Sequence, residues 1–172
     1  VSGAVYHVIS RINRNEMLLD DPHVKALFLQ VIKEAKRKYP FQLNNFAIMG
    51  THIHLQIQPL SDVSLSRIMQ WILSVFAKRY NRKRGITGHL WYDRFSSSVL
   101  KTVRRMAENF RYIAENPVQA GLVGHWSAFS FGGAFFHFRR VYELVDPLPK
   151  DLALVLDGFL DTVPKPCSNI EA

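Results

Sequence analysis

Cysteine is almost absent from this 172-residue chain. Cys167 stands alone, so neither an internal disulfide nor a cysteine-built zinc site is available. No apolar run approaches the ~18 residues that a membrane-spanning helix needs. The start, Val1-Ser2-Gly3, lacks an initiator Met, and no basic-then-apolar pattern of the signal-peptide kind follows. Repeats and low-complexity tracts are missing as well. These absences lead to the expectation of a soluble, cytoplasmic protein of a reducing compartment with no membrane partner. Acidic side chains are scarce, 14 against 22 Lys and Arg, and the scarcity is local. Residues 1–144 hold 20 basic and 9 acidic side chains, a net +11, whereas residues 145–172 hold 2 and 5, a net −3. A basic body favours a polyanionic partner, nucleic acid before others. The reversal divides the chain into a body, residues 1–144, and an acidic C-terminal appendage, residues 145–172.

What is present suffices for a packed core: 48% of residues are hydrophobic and 12% aromatic, which excludes a disordered chain. Residues 4–13 mix β-branched and aromatic side chains and read as a strand. Asp20-Asp21-Pro22 then opens an amphipathic helix through Val24, Leu27, Phe28, Val31, Ile32 and Ala35, ending near Tyr39-Pro40. Phe41–Met49 and His52–Gln58 read as strands, and the short link between them implies an antiparallel hairpin. Leu65, Ile68, Met69, Ile72, Val75 and Phe76 mark a second long helix that stops at Gly85. A fourth strand is expected within Leu90–Lys101, best around Phe95–Lys101. Val103, Met106, Ala107, Phe110, Ile113 and Ala114 space a third helix, ending near Asn116-Pro117. Strand, helix, strand, strand, helix, strand is the order of an α+β, ferredoxin-like split βαβ sandwich. Its antiparallel sheet should carry helices on one face and leave the other open for a site. Leu152–Leu160 is expected as a small helix.

The His52–Gln58 strand bears the chemistry. Ile53, Leu55 and Ile57 share one face, so His52, His54, Gln56 and Gln58 share the other. Two histidines one residue apart lie about 6.5 Å apart along a strand and can converge on one ion. A polar sheet face with incidental histidines is the plainer alternative. On the third helix Tyr112 and Asn116 are neighbours one turn apart. An amphipathic-helix tyrosine and a helix-ending asparagine would explain each singly.

Four blocks occur in order: Tyr6-His7-Val8 with Arg11; residues 47–55 around Thr51-His52-Ile53-His54; residues 88–95, Gly-His-Leu-Trp-Tyr-Asp-Arg-Phe; and residues 111–123 around Tyr112, Asn116-Pro117-Val118 and Ala120-Gly121-Leu122-Val123. Over about residues 4–126 they resemble the single-tyrosine HUH transposases, specifically the bacterial REP-associated branch. The resemblance implies a ferredoxin-like fold with its site on the open sheet face. It implies that His52 and His54 bind a divalent metal, Mg²⁺ or Mn²⁺, with Asn116 as an amide-type third ligand and Tyr112 as the nucleophile. It implies a partner too: single-stranded or hairpin DNA, cut and rejoined by a monomer or a homodimer. The sequence departs from the family at Thr51, where Asn is usual, at Gln56, where Leu is common, at Asp93, and at Ser130-Phe131-Gly132-Gly133.

The residue types suit that chemistry. A tyrosine with a pKa near 10 is about one part in a thousand phenolate at neutral pH. No adjacent histidine stands out as its base, so a divalent ion on the scissile phosphate is expected to neutralise developing charge. A phosphotyrosine link conserves the bond for rejoining. Lys78, Arg79, Arg82, Lys83 and Arg84, with Arg11, Arg14, Arg94, Arg104, Arg105 and Arg111, are candidates to track a DNA backbone, and Trp91 to stack on a base. His7, His89 and His125 receive no role. Two other readings keep the same surface: a catalytically silent nucleic-acid-binding module, and a metal-dependent phosphodiesterase that uses water in place of Tyr112.

Overall fold

A computed structural model describes residues 3–162 of the chain. Four strands, β1 (Val5–Arg11), β2 (Phe41–Ile48), β3 (His52–Pro59) and β4 (Ser96–Leu100), form one antiparallel sheet in the order β2-β3-β1-β4. Between β1 and β2 runs α1 (Pro22–Lys38), and between β3 and β4 runs α2 (Leu65–Arg84). The first begins at the expected Asp21-Pro22, and the second is capped by Ser64, which the sequence reading did not single out. The Asp21 carboxylate accepts from the His23 N–H ahead of Pro22, and Ser64 accepts from the Arg67 N–H. Gly85, in the left-handed region at φ 65°, closes α2.

The two helices cover one face of the sheet. Val8, Ile53, Leu55 and Ile57 from the strands meet Phe28, Val31 and Ile32 of α1 and Ile68, Ile72 and Phe76 of α2. Phe28 and Phe76 meet edge to face at 5.0 Å, and Trp91 lies against both.

The other face is less open than the sequence suggests. A third helix, α3 (Val103–Gln119), lies across it, chiefly over β2. Helices therefore stand on both faces, two on one side and one on the other. Behind α3 sits a second core of Phe110, Trp126, Leu152 and Leu156, to which α4 (Gly133–Phe138) and α5 (Lys150–Leu160) contribute. Gly133 brings α4 against β2 so closely that a Cβ would come within 2.6 Å of Asn45 Oδ1 and 2.8 Å of the Phe46 nitrogen.

One boundary differs from expectation. The third helix does not end before Pro117 but continues through it to Gln119. Proline forfeits one intrahelical N–H here, a small loss in a last turn, and its ring is buried. The acidic segment is packed over its described part. Val145 is buried in the main core, and the Asp146 carboxylate takes the Leu43 N–H and the Lys36 ammonium. Cys167 and the rest of the segment beyond residue 162 lie outside the described residues.

Candidate active site

Antiparallel register gathers the site. His54 stands opposite Ile9, His52 opposite Arg11, and Gln56 opposite His7, so His7, Arg11, His52, His54 and Gln56 share one face. α3 is fastened over that face by two amides. Gln56 donates to the Met106 carbonyl and to Asn109, and Asn45 donates to the Phe110 carbonyl, each at 2.9 Å. The departure at Gln56 thus has a structural role, because it pins the helix that carries Tyr112.

Pinned in this way, α3 sets the Tyr112 ring perpendicular to His54, with centroids 5.6 Å apart. His52 meets His54 edge to face at 4.9 Å. Tyr112 remains 47% exposed, open to a substrate. Asn116, one turn on, donates from Nδ2 to the Tyr112 carbonyl at 2.7 Å, a bond that leaves its Oδ1 uncommitted.

A residue without an assigned role completes the cluster. His7 Nε2 lies 3.0 Å from His54 Nδ1, the two rings stack at 5.3 Å, and the His7 ring meets Tyr112 at 5.9 Å. Two imidazoles, not none, therefore adjoin the tyrosine ring. Strand alternation puts His7 and Arg11 on one side of β1, but only the β1–β3 register brings His7 to His54. That pairing is not written in either strand alone.

Electrostatics keep the imidazoles neutral. Burial pulls the His54 pKa down to about 3, aided by the neighbouring His52, His7 and Arg11 charges. His52 is lowered by burial and then by Arg11, and His7 by burial. Neutral imidazoles are lone-pair donors. The donor set fits a divalent ion on one further count: the buried Nε2 of His54 has no hydrogen-bond partner. Thr51 Oγ1 lies 2.9 Å from His52 Nδ1, a contact that leaves His52 Nε2 uncommitted. Among the described residues no group of three or more His, Cys, Asp or Glu is arranged to hold a metal, so the two histidines have no third ligand of those types.

The basic candidates separate into committed and free. Arg79 binds Glu34 of α1 through both terminal nitrogens, at 2.8 and 2.6 Å. Arg111 donates to the Val155 carbonyl and lies over Phe159, joining α3 to α5. Arg84 reaches Asp21, and Arg104 pairs with Glu108 on its own helix. Lys78, Arg82, Lys83, Arg94 and Arg105 are exposed, as are Arg14 on a turn and Arg11 beside the histidines. Trp91 is turned inward: its indole N–H donates to the Leu73 carbonyl, and Tyr92, 72% exposed, is the aromatic that faces out. A groove of about 970 Å³ between α2 and residues 88–95 collects Lys78, Tyr92 and Arg94. It does not include His52, His54 or Tyr112; its link to them is the Tyr92 N–H, which bonds the Arg11 carbonyl at 2.9 Å.

Comparison with known proteins bears on the family and the fold. The family model of IS200-like transposases matches residues 1–116. A Haemophilus influenzae protein assigned as a REP-associated tyrosine transposase is 26% identical over 106 residues, which is 56% of this chain and 60% of that protein's length. The structure of a REP-associated tyrosine transposase bound to a REP hairpin superposes with a TM-score of 0.67 at 22% identity, covering 88% of each chain. A Deinococcus radiodurans structure assigned as that of a transposase gives 0.50 at 17% identity, covering 66% of this chain and 90% of the other. At such identities the structural likeness speaks for the fold.

Proposed function

Because the chain belongs to the IS200-like transposase family, we propose that it nicks and rejoins single-stranded DNA through Tyr112, on hairpin-forming repeat DNA. The observation that carries this reading is the Tyr112 ring set perpendicular on His54, on the face that also bears His52 and Arg11.

The Tyr112 oxygen attacks the scissile phosphorus, forming a 5′-phosphotyrosine bond as the bond to the 3′ oxygen breaks. The phenolic proton is lost to water, and the departing oxygen takes up a proton as a free 3′-OH. Rejoining is the reverse attack by a 3′-OH. α3, held by Gln56 and Asn45, orients the phenol, and Arg11, opposite His52 in the strand register, adds a positive charge to the same face. His52 and His54, with Asn116, would hold a divalent ion, Mg²⁺ or Mn²⁺. When bound, that ion supplies charge neutralisation at the phosphate. The exposed Lys78, Arg82, Lys83, Arg94 and Arg105 suit contacts to the backbone on either side. The solved relative holds a REP hairpin, which makes a hairpin the first substrate to try. Tyr112 and both histidines come from one chain, so a monomer contains the whole site and a homodimer would contain two. Residues 1–144 carry every residue of the proposed site, and the described part of 145–172 supports it by packing behind α3 through Leu152, Leu156 and the Val155 carbonyl.

The test is a denaturing gel of labelled hairpin DNA with the protein and Mn²⁺. The parent should form a covalent adduct that a chelator suppresses. Tyr112→Phe should form none yet bind the hairpin within about tenfold, since affinity comes chiefly from phosphate contacts elsewhere. Cleavage retained in Tyr112→Phe would transfer the attack to water and sink this reading.

A further inference from the structure

We propose that His7 is a positioning residue: it accepts the Nδ1–H of His54 and so keeps the Nε2 lone pair of His54 available to a divalent cation. This rests on the reading of His54 as a ligand.

Between His7 Nε2 and His54 Nδ1, 3.0 Å apart, there is one hydrogen, and it belongs to one ring or the other. If His7 supplied it, the proton of neutral His54 would sit on Nε2. That atom is buried and has no acceptor, so an N–H there would be left unpaired. If His54 supplies it, the His7 proton sits on its own Nδ1, on a ring that is only half-buried and within reach of water. The unpartnered atom of His54 is then a bare lone pair, the state a metal needs. The second arrangement leaves no buried donor unmet.

Ring packing reinforces this. His54 is 2% exposed, stacked on His7 at an interplanar angle of 14° and closed at its edges by His52 and Tyr112. With rings on three sides and little exposure, the setting of His54 is held by packing. Metal-binding histidines commonly give their second N–H to a carboxylate or a carbonyl. Here the four strands carry no carboxylate, and the acceptor is a third imidazole from the neighbouring strand. An imidazole acceptor adds no negative charge, so the ion keeps its full attraction for phosphate oxygens.

Imidazole ¹⁵N–¹H correlation spectra of the metal-free full chain near neutral pH read the proton positions directly. His54 should carry its proton on Nδ1 and His7 should carry its own on Nδ1. In His7→Phe the His54 proton should shift toward Nε2, and Mn²⁺ affinity by calorimetry should fall about ten- to a hundredfold. His7→Gln, whose side-chain carbonyl can accept the same hydrogen, should recover most of that loss. A native His54 protonated on Nε2, or Mn²⁺ affinity in His7→Phe within about twofold of the parent, overturns the proposal. Should the native chain bind no Mn²⁺ at all, the metal-site reading falls, and the spectra still decide whether His7 sets the His54 proton.

Discussion

The two faces of this sheet are built from alternate residues of the same strands, yet they are held by different forces. On the α1/α2 side, Ile53, Leu55 and Ile57 disappear into an apolar layer with Phe28 and Phe76. That contact is broad and non-directional, and it is summed over many side chains. On the α3 side the interleaved His52, His54 and Gln56 are polar, and two amides fasten the helix through three hydrogen bonds. Polar atoms there, His54 Nε2 and Gln56 Oε1, are buried without partners. The first face is made to be stable. The second holds a ring nitrogen and an amide oxygen unsatisfied under Tyr112, against Ser10 Oγ on the apolar face, and this suits a site that takes a ligand.

Four measurements probe this division. Phe28→Ala, on the apolar face, should lower unfolding free energy by about 3–5 kcal/mol in urea titration. A cost below about 1 kcal/mol would mean that this face does not carry the fold. Asn45→Ala, on the polar face, removes the bond to the Phe110 carbonyl and its own link to the Phe46 N–H. It should cost about 1–3 kcal/mol, and it should slow adduct formation because α3 loses a tether.

Acid sharpens the contrast further. The His54 pKa is about 3 in the folded chain, against an ordinary value near 6.5, so the unfolded chain binds this proton first. The neutral ring's contribution is therefore complete above about 6.5 and drains away as pH falls toward 3, at no more than about 1.4 kcal/mol per unit. His52 and His7 are shifted in the same direction, so His54→Gln should flatten the stability profile over that window without levelling it. A profile unchanged by His54→Gln would contradict a neutral buried ring. The smallest effect belongs to Tyr112→Phe. Its ring is half in solvent, so stability should move by less than about 0.5 kcal/mol even as the adduct disappears.

Local chemistry makes much of this legible in the sequence. Asp21-Pro22 and Gly85 bound their helices as caps do, and the period-two pattern of β3 puts both histidines on one side of the strand. What escapes is every feature that depends on two distant segments meeting. A lone histidine in β1 has no visible partner until register sets it beside His54. Nothing in the spacing of α3 tells which sheet face it will cover. Arg79 and Arg111 read as free cations because Glu34 and the Val155 carbonyl belong to other helices. Trp91, next to an exposed tyrosine, is equally able to face either way by sequence, and the Leu73 carbonyl decides it. Pro117 reads as a terminator by its own geometry, whereas the tertiary burial of its ring prolongs the helix.

The strict alternation of β3 has a genetic consequence. Substituting a letter within residues 52–57 changes one side chain; adding or deleting one reverses the orientation of all that follow. An insertion after Ile53 would turn His54 and Gln56 toward Phe28 and Phe76 and present Leu55 and Ile57 to Tyr112. A saturation library over this stretch should therefore yield many folded but inactive substitution alleles. Single-codon insertions and deletions should yield alleles that fail to accumulate as protein at all.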